Sequence, residues 1–131
     1  MAVFEVGEKL HIIERRDFET DLRRHFIGEI IKCSENVIRI VGYVWVFDTR
    51  RGEWMKKLDK RERILRISGG NRLTINVIPK EVDIEKVTYK TIQLGKDWEK
   101  GSSAETFPQK GLIVTDGKGF NLDINEFSVT R

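Results

Sequence analysis

The longest apolar stretch of the chain runs from Phe26 to Asp48, FIGEIIKCSENVIRIVGYVWVFD, with a polar Ser34-Glu35-Asn36 between two arms rich in Ile, Val and aromatic residues. Such side chains suit a pleated surface, and the polar break predicts a β-hairpin. Two registers compete. A two-residue loop at Glu35-Asn36 sets Lys32 opposite Arg39, a like-charge pair that costs stability. A three-residue loop from Ser34 to Asn36 needs one residue in the left-handed region, which Asn tolerates. It sets Cys33 opposite Val37, Ile30 opposite Ile40 and Gly28 opposite Gly42, with Glu29 diagonal to Arg39, and it is the register expected. Alternation then gives a core face of Phe26, Gly28, Ile30, Ile38, Ile40, Gly42, Val44 and Val46, with Lys32 near the turn. The opposite face carries Ile31, Cys33, Val41, Tyr43, Trp45 and Phe47. The second arm spans roughly 35 Å, and the paired glycines predict a bend in it.

Weaker alternation marks the other elements. Glu8 to Arg15 reads as a strand, and Arg16 to Asp21 as a turn or one helical turn. A turn at Thr49 to Glu53 leads to a third arm, Trp54 to Leu58, able to pair back on the hairpin. Arg61 to Ser68 and Arg72 to Ile78 flank Gly69-Gly70-Asn71 and predict a second hairpin ended by Pro79. Lys80 to Lys86 fits either a strand or a short helix. Thr88 to Leu94 is a strand, 95–111 a loop, and Leu112 to Thr115 with Gly119 to Ile124 a last hairpin around Asp116-Gly117-Lys118. In that hairpin Phe120, Leu122 and Ile124 face in. Seven to nine mostly antiparallel strands without an amphipathic helix predict an all-β fold. The long bent hairpin favours a single small β-barrel over residues 1–131, with a β-sandwich as the alternative.

Composition narrows the setting. A length of 131 residues suffices for one domain with its own core. A single cysteine, Cys33, excludes an intrachain disulfide framework and points to a buried thiol in a reducing compartment. Glu5 and Glu8 interrupt the run a signal sequence would need, so neither export nor a membrane span is expected, and a cytoplasmic location is the default. The net charge of +3 is concentrated: residues 49–66 hold eight basic and three acidic residues.

No pattern specifies catalysis. His11 and His25 stand on separate strands, and no serine sits in a nucleophile elbow. The lone cysteine with two distant histidines lacks zinc-ligand spacing, and Asp116-Gly117-Lys118-Gly119 lacks the spacing of a phosphate loop, so no metal or cofactor is expected. Two binding surfaces are the better candidates. The first is an oligomer interface of Ile31, Val41, Tyr43, Trp45 and Phe47, because a hairpin apolar on both faces needs its outer face covered by its own chain or by another subunit. The second is a nucleic-acid surface of Arg50, Arg51, Trp54, Lys56, Lys57, Arg61 and Arg63, where cations meet phosphates and an aromatic ring stacks a base. Interleaved Glu53, Asp59 and Glu62 favour the plainer alternative, a charged strand edge that discourages pairing. The expectation is a non-catalytic binding or assembly module that forms a homo-oligomer, with nucleic acid the alternative partner.

Overall fold

The computed structural model describes residues 4–15, 23–67, 73–94 and 109–124. It is all-β. The strands are β1 (Lys9–Glu14), β2 (Arg24–Cys33), β3 (Val37–Asp48), β4 (Glu53–Lys56), β5 (Arg61–Arg66), β6 (Leu73–Ile78), β7 (Thr88–Leu94), β8 (Gln109–Thr115) and β9 (Asn121–Ile124), with one 3-10 turn at Ile84–Lys86. Every pairing among them is antiparallel. They fall into two compact units, Met1–Ile84 and Glu85–Arg131. The first holds a sheet in the order β4-β3-β2-β1-β6, with β5 also paired to β3; the second holds β7-β8-β9.

The hairpin of β2 and β3 is the centre of the first sheet, and it contains both candidate registers. From Arg24 to Ile30 the pairing is the expected one, with Gly28 opposite Gly42 and Ile30 opposite Ile40. Beyond Ile30 the ladder shifts, and Lys32 lies opposite Arg39 and Cys33 opposite Ile38. Ile31 is the extra residue of a β-bulge. The expected pairing of Cys33 with Val37 therefore fails, as does the placement of Lys32 on the core face. The bulge turns both side chains over: Lys32 is exposed, while Cys33 packs against the core and its thiol donates to the Phe4 carbonyl at 3.3 Å. The like-charge pair is tolerated because both residues are solvated and Arg39 takes Glu62 of β5 as a partner at 2.6 Å.

Gly28 and Gly42 allow the two arms to touch. A Cβ on Gly42 would run into the Ile27 carbonyl and the Gly28 Cα, and one on Gly28 would lie 2.6 Å from the Val41 carbonyl oxygen. Below them, Leu10, Ile12, Phe26, Ile30, Ile38, Ile40 and Val44 form the buried core of this unit, with Leu65, Ile67, Leu73 and Ile75 packed around it. Burying each large side chain contributes about 1.5–3 kcal/mol. Arg63 crosses the rim of this core, its guanidinium 5.5 Å from the Phe26 ring centre and 3.2 Å from the Glu14 carboxylate.

The outer edge of β3 is divided. Val37 to Gly42 pair with β5, and Trp45 to Asp48 pair with β4. The turn into β4 is fixed by Asp48, whose carboxylate accepts from the Arg50 amide at 2.9 Å, and by Gly52 at φ 69°. The hairpin expected around Gly69-Gly70-Asn71, which itself lies outside the described residues, does not form. β5 pairs with β3 and β6 with β1, so the two strands run in the same direction, and a tight turn cannot zip parallel strands together. No ladder joins them among the described residues, and no closed barrel is found there.

In the second unit, β7 has the expected bounds, whereas β8 begins at Gln109, inside the stretch expected to be loop. Residues 95–108 lie outside the description. Leu112, Val114 and Ile124 are buried, while Asn121 and Asp123 are exposed. The phosphate-loop look-alike is a hairpin turn, as expected: the Asp116 carboxylate accepts from the amides of Lys118 at 2.8 Å and Phe120 at 3.0 Å. These bonds, that from Lys118 foremost, lower the Asp116 pKa.

Candidate functional site

The outer face of the first sheet, away from its core, changes character along its length. At one end His11, His25, Ile27, Trp45, Trp54 and Ile78 are buried. At the other, around the β2–β3 turn, Ile31, Arg39, Glu62 and Ile64 are exposed.

The buried end is built on a line of polar groups. Register places His11 beside Ile27 on β2 and beside Asn76 on β6, and sets His25 beside Trp45 on β3. The Asn76 amide nitrogen lies 3.2 Å from His11 Nδ1, and His11 Nε2 lies 3.2 Å from His25 Nδ1. With the Asn76 amide donating, the chain has one consistent direction. His11 accepts at Nδ1 and donates from Nε2 to His25 Nδ1, so the His11 ring is neutral. Burial first, and the facing His25 second, lower the His11 pKa from 6.5 to about 3. The His25 ring lies 4.2 Å from that of Trp54, which meets Phe47 at 5.5 Å.

Neither imidazole reaches solvent, each being 0 % exposed. Among the described residues no three His, Cys, Asp or Glu side chains gather as a metal site. The pair thus satisfies buried polarity within the sheet. Sequence reading put the two histidines on separate strands and missed their contact. A signal was present: an antiparallel register setting Lys9 against Glu29 and Glu14 against Arg24 brings the rings together, and that is the register observed.

The five residues of the candidate oligomer interface are not equivalent. Trp45 is only 6 % exposed and offers no surface to a partner. Tyr43 is half-buried with Lys56 Nζ at 4.1 Å from its ring centre, and Phe47 is half-buried with the Arg23 guanidinium at 5.8 Å. Val41 is half-buried, and Ile31, lifted out by the bulge, is 44 % exposed. Ile64, 60 % exposed, joins them from β5, where it lies opposite Arg39. Sequence reading missed it because the partner of β5 was misassigned.

The seven residues of the candidate nucleic-acid surface are dispersed. Trp54 is buried, so its ring is closed to a base. Lys56 lies on the outer face beside Trp45, whereas Arg61 and Arg63, opposite Gly42 and Ile40, belong to the core side. Arg50, Arg51 and Lys57 are exposed, with Arg51 within 3.8 Å of Asp48 and 3.9 Å of Glu53. These cations do not share one face.

No helix among the described residues is long and apolar enough to cross a membrane. No family model, curated protein or solved structure matches this chain.

Proposed function

We propose that the chain is a non-catalytic binding module that associates with copies of itself through the open end of the outer face. One observation carries this reading: Ile31 and Ile64 are exposed beside half-buried Val41, ringed by Glu29, Lys32, Arg39 and Glu62. An apolar centre within a rim of both charge signs is the usual anatomy of an interface, and mixed signs allow a patch to meet its own copy without net repulsion. The interface is thus moved from the aromatic stripe toward the β2–β3 turn. It is preferred to nucleic-acid binding by residues 50–66, whose cations are divided between two faces. For the fold, the proposal is a first sheet curled toward a barrel and left open, because Leu65 and Ile67 at one margin and Leu73 and Ile75 at the other pack on the same core.

Sedimentation across micromolar concentrations is the test. A stable assembly through this patch buries well over about 1,000 Å² in total. Ile64→Lys should reduce the assembly with the fold intact. A wild-type chain that stays monomeric throughout would remove the proposal.

A further inference from the structure

Three strands of the first sheet have one ladder each among the described residues, and they differ in chemistry. β5, RERILR, has four charged residues of six, and β4, EWMK, has two of four. β6, LTINVI, has none. Natural sheets guard free edges with charge, proline or a bulge. From Thr74 to Ile78 β6 has none of these, and its ladder with β1 is regular. Among the described residues no second ladder lies along it. The edge is open at its side chains too: Thr74 is exposed, and Val77 is 62 % exposed although apolar.

We propose that β6 pairs, edge to edge and antiparallel, with β6 of a second copy of this chain, making one continuous sheet. The inference rests on the self-association proposed above and adds a second contact to it. Antiparallel neighbours require a two-fold axis normal to the sheet, which keeps each face on its own side. With the axis at Asn76, Ile75 faces Val77 of the second copy, Asn76 faces Asn76 and Thr74 faces Ile78. No charge meets its like, and exposed Val77 gains an apolar neighbour. A second copy is favoured over the β4 or β5 edge of another molecule because those edges are charged. Pairing through β6 also leaves only charged edges outermost, so this contact closes at two.

The experiment uses the full chain in analytical ultracentrifugation. The wild type should exceed a dimer, having two contacts; Ile64→Lys should leave a dimer held by β6; adding Thr74→Lys and Val77→Lys, both at exposed positions, should give a monomer. A monomeric Ile64→Lys protein would overturn the edge pairing and leave the outer-face assembly standing. A wild-type monomer would remove both, and growth of the Ile64→Lys protein beyond a dimer with concentration would overturn the closed pair. If the lysine variants fail to fold, hydrogen exchange of the wild type decides. Alternate amides between Thr74 and Ile78, those pointing away from β1, should gain protection as concentration rises, and unchanged exchange would overturn the pairing.

Discussion

Gly42 lies so close beneath Gly28 that the two strands meet backbone to backbone where their side chains would otherwise stand. A Cβ on Gly42 finds the Ile27 carbonyl and the Gly28 Cα in its place, and main chain cannot rotate away as a side chain can. Gly42→Val should therefore destabilise the first unit by about 3 kcal/mol or more, the upper end of overpacking effects. An unchanged urea midpoint would refute the close approach.

Buried His11 sets an acid limit. His11 has a pKa of about 3 when folded against 6.5 when unfolded, so between those values the unfolded chain binds more protons. The associated stability is fully present above pH 6.5 and is lost on acidification toward pH 3, at about 1.4 kcal/mol per unit. Urea midpoints between pH 4 and 7 should fall more steeply for the wild type than for His11→Gln, by about one proton's worth. Parallel curves would show that His11 does not stay neutral.

The two arginine pairs should rank opposite to their lengths. Arg39–Glu62 is the shorter at 2.6 Å, but its side chains are 43 % and 49 % exposed. Arg63–Glu14 is 3.2 Å long with 28 % and 29 % exposed, and the guanidinium also sits over Phe26. Double-mutant cycles should give about 1 kcal/mol for the longer pair and about 0.5 kcal/mol or less for the shorter. The reverse order would contradict the weight placed on burial.

Removing the bulge residue should be milder than removing a residue from the facing strand. Deleting Ile31 leaves Ile30 opposite Ile40 and Lys32 opposite Arg39 in an unbroken ladder, at a cost of about 1 kcal/mol. Deleting Ile40 instead removes a side chain from the core and throws the rest of β3 out of register. Thermal melts of the two deletions would separate them, and equal losses would argue against the bulge.

Much of the architecture was legible in the residues. Alternation and turn chemistry identified the all-β class, the central hairpin, the Asp48 and Asp116 turns and the bounds of β7. Register was the weak point, because each register was judged as if it held along the whole strand. A bulge lets Ile30 and Lys32 obey different pairings, and local pair energies do not reveal where a strand will take one. Partner choice was the second gap. Gly69-Gly70-Asn71 favours a hairpin locally, but β3 is twelve residues long and its free edge accepts β5 instead. The candidate interface suffered from the same gap, since burial of Trp45 depends on strands far from it in sequence.

The divided edge of β3 gives the sheet a crease. β5 lets go after Gly42 and β4 takes hold at Trp45, with the Lys57 amide donating to the Val44 carbonyl at 2.8 Å, so the long strand changes neighbours near Tyr43. The glycine contact lies beside that change of neighbours. The tab formed by β4 is joined to β3 by four residue pairs and the Lys57–Val44 bond, none of them shared with the β5 ladder. Trp54 rides on that tab and its ring rests on His25. The least anchored part of the sheet is thus the cover of its driest polar groups, and its loosening would give those imidazoles a route to water.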